Sequence, residues 1–278
     1  TVFSSSLSAG ATGIINIEGG TLTLPGGATA VSGATFTTSA TTIQLGGSLN
    51  LADTWISTDQ TSGVSTNLSL TANAELTSTA AVEAATLETN GFNFMLGSET
   101  SDLTLINAFT LESGTLSTQG ADLIIKGAAN ISSGATLEAS VMDGTGGTLE
   151  FQQGGTSAGT INVANATYKI GSAYAVTGTL KTNSTTTWDL GTSNLDLSDS
   201  TLELGGNVTL DQILTDNQTT FKLNEDTTVT RNSGFTLGAI NYENFSLTLG
   251  SVTTDLTLDL EVINANEQGS STGTLLTQ

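Results

Sequence analysis

One short signature recurs from end to end of this chain: a glycine, at most one further small residue, then threonine and a large apolar side chain. It appears as Gly20-Thr21-Leu22, Gly33-Ala34-Thr35-Phe36 and Gly114-Thr115-Leu116. It returns as Gly134-Ala135-Thr136-Leu137, Gly147-Thr148-Leu149, Gly159-Thr160-Ile161 and Gly178-Thr179-Leu180. Ser200-Thr201-Leu202 is a variant, and Gly273-Thr274-Leu275 lies near the end of the sequence. Each copy reads as a turn glycine feeding a strand whose first large side chain points inward. From Leu116 to Leu202 the steps are 21, 24, 19 and 22 residues, with an extra copy at Leu149 inside the second step. That spacing falls at the short end of the range of solenoid repeats.

Between signatures the apolar residues alternate over very short runs. Ile43/Leu45, Leu49/Leu51, Leu68/Leu70, Leu103/Leu105, Leu195/Leu197, Leu202/Leu204 and Val208/Leu210 are examples. Alternation of two or three inward residues before a turn describes a strand too short for a free-standing sheet. Stacked in parallel, coil above coil, such strands gain two neighbours each and a continuous apolar column. The expected fold is therefore an all-β parallel β-solenoid of about 13 coils of about 21–22 residues, a rod roughly 60 Å long. The rival is an antiparallel sandwich. Its hairpins favour Asn-Gly or Asp-Gly turns, and only Asn90-Gly91 and Asp143-Gly144 supply them. Residues 1–263 read as one solenoid domain, and 264–278 as a polar C-terminal tail or connecting strand. Thr54–Ser65 and Leu210–Thr220 lack alternation and read as loops bulging from the wall.

Composition agrees with β-structure. Ser and Thr make up roughly 30% of the 278 residues, with 32 Gly and a single proline, Pro25. Threonine loses side-chain freedom in helices and fits a pleated surface, and frequent glycine breaks long helices. With no cysteine and no histidine, disulfides, Cys/His zinc sites and histidine acid–base chemistry are excluded. A net charge of −21 leaves nothing to neutralise phosphates, which excludes nucleic acid and disfavours anionic membranes. No apolar run is long enough for a transmembrane helix, so no membrane insertion is expected. The sequence begins without a basic and apolar leader, which reads as a mature protein or a fragment.

Candidate chemistry is sparse. Lys126, Lys169, Lys181 and Lys222 read as isolated wall residues, and Arg231 is the only guanidinium. Nucleophilic catalysis needs an activating base, and no carboxylate pair stands out for glycoside hydrolysis. The chain is expected not to be an enzyme, a glycan-active β-helix enzyme being the third alternative. Trp55 and Trp188 read as packing residues. The densest acidic stretch, Asp189, Asp196, Asp199 and Glu203, is the candidate calcium site; a solvated acidic wall is the plainer reading, and no other cofactor is expected. A parallel solenoid also has two open ends. Val2, Phe3 and Leu7 at one end, and Leu256, Leu258, Leu260 and Val262 at the other, are the candidate self-assembly residues. Head-to-tail contact between such ends does not close and grows a filament.

The runs GGTLTLPGG, SGATLEAS and STLELGGNVTL resemble the passenger domains of autotransporters and filamentous-haemagglutinin-like adhesins, and related filament-forming surface solenoids. The resemblance implies a bacterial extracellular or cell-surface protein with roles in attachment or surface structure. The functional expectation is a structural subunit stacking end to end into a filament or matrix. The alternative is an adhesin or passenger segment. The expected partner is the chain itself, or a host or cell-surface glycan or protein.

Overall fold

The computed structural model describes residues 13–24, 29–31, 34–51, 55–57, 66–139, 146–250, 256–258, 262–263 and 275–277. The fold is an all-β parallel solenoid: every strand pair among these residues is parallel. No helix occurs among them, so none is long and apolar enough to cross a membrane.

The longest wall of the solenoid starts at Thr29–Val31 and runs through twelve successive strands to Val262–Ile263. One inward column climbs it through Ala74, Phe94, Leu116, Leu137, Ile161, Leu180, Leu202, Phe221 and Ile240, and the register continues to Val262. Five of these, from Leu116 to Leu202, are the apolar residues of the recurring signature. Leu149, the extra copy, belongs to a second wall of six strands, from Val82–Ala84 to Thr187–Asp189. There it stacks between Leu123 and Tyr168. A third wall, also six strands, runs from Phe109–Leu111 to Ile213–Leu214. Below it lies an N-terminal sheet in which Gly13–Leu24, Ala34–Leu45, Asn67–Leu70 and Thr86–Glu88 pair in that order.

Many strands are three residues long, with either the outer two buried, as in Phe94–Leu96, Leu103–Leu105 and Phe109–Leu111, or the middle one, as in Thr115–Ser117, Thr136–Glu138 and Thr160–Asn162. That is the period-2 alternation of a half-buried strand. The described residues make about ten turns, not thirteen. The expectation spread one period over the whole chain, whereas the step from Ser48 to its partner Glu75 takes 27 residues. At strand spacing, ten turns give a rod about 50 Å long.

The corners are built from tight turns. Asn90 and Gly91 have φ of 51° and 82°, and the Phe92 N–H donates to the Thr89 carbonyl at 2.9 Å. This is a type I′ turn, the hairpin signal of the sequence put to use as a solenoid corner. Gln119 and Gly120 repeat it, with the Ala121 N–H on the Thr118 carbonyl. The Leu210–Thr220 segment is not a bulging loop. Ile213–Leu214 pairs with Leu195–Asp196, and Leu210, Ile213 and Thr219 are buried. Its apolar residues turn a corner three apart, which hides the alternation. In the other expected loop, Trp55–Ser57 is a strand paired with Ala34–Leu45; the rest lies outside the described residues.

Candidate functional site

The predicted end residues fall at the limits of the described chain. Val2, Phe3, Leu7 and Leu260 lie outside it. Leu256 is half-buried and packs against the core. It starts the strand Leu256–Leu258, which pairs with Phe235–Leu237. Val262 pairs with Ile240 on the long wall. From the expected tail, Leu275–Thr277 forms a strand beside Leu247–Leu249.

The four calcium candidates are spread over three walls. Asp189 is exposed on the last strand of the second wall. Asp196 is on the third, accepting from the Ser198 N–H at 3.0 Å and its hydroxyl at 2.7 Å. Asp199 is exposed at the following corner with φ 62°. Glu203 is on the long wall. Fourteen residues carry the chain most of the way round a coil, so closeness in sequence does not mean closeness in space. Among the described residues no three acidic side chains are grouped to hold a metal ion.

The lysines are not isolated. Lys181, Glu203 and Lys222 are register neighbours on three successive coils. Glu203 lies 3.7 Å from the Lys181 ammonium and 3.4 Å from that of Lys222, which also reaches Glu243 at 3.5 Å. Glu203 beside Lys222 pushes its ammonium pKa up, against the opposing effect of burial. Lys169 pairs with Glu150 at 3.5 Å and Lys126 with Glu83 at 3.4 Å. Sequence separations of 19–43 residues hide these pairs from any local reading. Trp188 packs edge-on to Tyr168, centroids 6.1 Å apart.

The least uniform surface lies around the Asn90–Asn93 corner. Between Thr86–Glu88, the last strand of the N-terminal sheet, and Phe109–Leu111, the first of the third wall, the hydrogen-bonded ladder is interrupted. A groove of about 470 Å³ opens there, lined among others by Glu88, Asn90, Thr110 and Glu112. Round the corner, on the outer face of the long wall, is a second hollow of about 310 Å³, formed by Ser48, Asn73, Ala74, Glu75, Asn93 and Met95. Phe92 and Met95, each 36% exposed, belong to this same coil.

The second hollow is held in place by backbone bonds. The Asn73 carboxamide oxygen accepts the Asn93 N–H at 2.9 Å, and the Asn93 carboxamide oxygen accepts the Thr115 N–H at 2.9 Å. Those donors fix the amide orientations, so both NH₂ groups turn away from the ladder. The Glu75 carboxylate receives the hydroxyls of Ser48 and Thr77, each at 3.4 Å. It also lies where a Cβ at position 97 would stand, so Gly97 leaves it room. Sequence reasoning missed this site, because its residues come from three coils and none forms a motif.

Comparison with protein-family models, curated proteins and solved structures finds no match.

Proposed function

We propose that the chain is a non-enzymatic structural subunit, extracellular or at the cell surface, that stacks end to end with further copies into a filament or matrix. The observation that carries this reading is the uninterrupted direction of pairing. Parallel, in-register addition continues to the last described strands, Leu256–Leu258, Val262–Ile263 and Leu275–Thr277, each hydrogen-bonded to one described neighbour. A parallel edge offers the next strand the same lattice that built the coil beneath it. A second copy would continue the apolar columns at the 4.7–4.9 Å strand spacing, and a head-to-tail joint of this kind propagates. The mixed ladder of lysines and glutamates along the long wall moderates lateral repulsion in a chain of net charge −21.

The test is the state of assembly. Sedimentation velocity and negative-stain microscopy over rising concentration are expected to show rods lengthening in steps of one subunit. Thr257→Pro, at an exposed position of a terminal strand, removes a ladder donor and is expected to shorten them. Single particles at every concentration would refute the reading. The second reading, lateral attachment as an adhesin segment, is favoured by one observation: Phe92 and Met95, two of the three exposed large apolar side chains among the described residues, lie on the coil that borders both hollows.

A further inference from the structure

We propose that the hollow on the long wall formed by Asn73, Glu75, Asn93 and Met95 binds a neutral oligosaccharide. The inference does not depend on assembly and concerns the side of the rod.

The four side chains form a small lattice. Glu75 stands on the strand Ala74–Ser78 with Asn73 just before it, and Met95 on Phe94–Leu96 with Asn93 just before it, Met95 being the register partner of Glu75. Neighbouring strands are about 4.8 Å apart, and outward residues on one strand about 6.6 Å apart. Two corners of the lattice are hydrogen-bond donors whose direction is set, because each amide oxygen is held by a backbone N–H of the next coil. The third is a carboxylate acceptor, steadied by Ser48 and Thr77 and seated over Gly97. The fourth is an exposed thioether, an adaptable apolar surface, and Phe92 lies exposed at the corner beside it.

This alternation selects the ligand class. Sugar hydroxyls both donate and accept, so vicinal hydroxyls can receive from the amides while another donates to Glu75. The C–H face of the ring then covers Met95. A hollow of about 310 Å³ is at the small end of ligand clefts, suited to one or two sugar rings. Anionic glycans meet Glu75 and the charge of the whole chain. A metal ion would need several free oxygens, and the two amide oxygens are already committed to backbone donors. The fixed donors also lower the ordering cost of binding.

The experiment is saturation-transfer NMR with maltose, lactose and mannobiose at millimolar concentration, and with a short lysine peptide as the competing probe. At least one disaccharide is expected to receive saturation from the native chain. The double variant Asn73→Asp/Asn93→Asp keeps the acceptors that cap Asn93 and Thr115 but removes both donors. It is expected to hold its circular dichroism spectrum and melting temperature while binding weakens about tenfold or more. Met95→Ala, at an exposed position, is expected to weaken binding without touching the ladder. No transfer to any disaccharide, equal transfer in native and variant proteins, or transfer to the lysine peptide alone would overturn the proposal.

Discussion

A buried side chain in a solenoid has to fit the coils above and below it as well as its own. Among the described residues Phe151, Tyr168, Tyr174 and Trp188 form the largest aromatic cluster, with Phe151 stacked on Tyr174 at 4.6 Å and edge-on to Tyr168 at 5.9 Å. Tyr174 sits in register beside Gly155, which follows Ala129 in that column. A Cβ on Gly155 would collide with the Ala129 carbonyl, so Gly155→Ala is expected to cost about 1–3 kcal/mol, read as a fall in chemical-denaturation midpoint. The Tyr168 and Tyr174 hydroxyls are buried without a hydrogen-bond partner. An unpaired hydroxyl loses its hydration and gains nothing in return. Tyr168→Phe is therefore expected to raise the melting temperature by about 2 °C, a gain of roughly 1 kcal/mol. A drop of that size would show instead that the hydroxyl is bonded.

At the scale of the element, the corners show most clearly what was and was not legible in the sequence. The Gly-Thr-Leu signature identified five successive members of the inward column of the long wall, from Leu116 to Leu202, because a turn glycine and a β-branched threonine are local requirements. Which wall each copy joins was not legible: Leu149 carries the same signature as Leu137 but faces inward from another wall. Part of the threonine excess also faces inward. Thr38 and Thr66 hydrogen-bond each other in the interior at 2.7 Å, and Thr219 donates to the Leu197 carbonyl at 2.9 Å. A hydroxyl that satisfies a corner carbonyl looks in sequence like one on a solvated wall. The same corners explain the Asn and Asp residues, whose side-chain oxygens cap N–H groups of the adjacent coil. Asp102 caps Asp122 at 2.9 Å, Asp122 caps Thr148 at 2.6 Å, Asp211 caps Asn232 at 2.7 Å and Asp226 caps Ser246 at 2.8 Å. The carboxamides of the proposed sugar site are two rungs of this ladder, which is why sequence offered no sign of them. Asp122→Ala strands the Thr148 N–H and is expected to cost about 1–2 kcal/mol, whereas Asp122→Asn keeps the acceptor and most of the stability. Equal losses in the two variants, measured by urea unfolding, would rule out the capping role.

For the whole molecule, stability is a sum of coil-on-coil contacts with no long-range closure, and among the described residues a few groups that folding perturbs link it to pH. The chain has no histidine, which removes the side chain that titrates near neutrality. On the acid side, burial pushes the Asp216 carboxyl up, but N–H donors from Gln218, Asp199 and Thr219 and the Thr219 hydroxyl outweigh it and hold its pKa below 3.8. A depressed carboxyl contributes stability above its unfolded value that is lost as pH falls through the folded one. Protonating the remaining carboxylates relieves the repulsion of a −21 chain, so the acid limb is expected to be shallow. The alkaline limb differs. Burial and the neighbouring Tyr174 push the Tyr168 phenol well above 10.0, burial raises Tyr174 and Tyr242, and Glu203 raises Lys222 above 10.5. In each case the folded state keeps a proton that the unfolded chain releases. Their contribution is thus complete below the unfolded values and is lost as pH rises past them. Lys222 is more than a third exposed and its share is screened by solvent, which leaves the buried phenols dominant. Melting temperature is expected to be level from about pH 5 to 9 and to fall steeply above about pH 10. The double variant Tyr168→Phe/Tyr174→Phe should keep the plateau and lose most of that fall. An alkaline limb of undiminished slope in the variant would place the cause in general charge repulsion and not in the aromatic core.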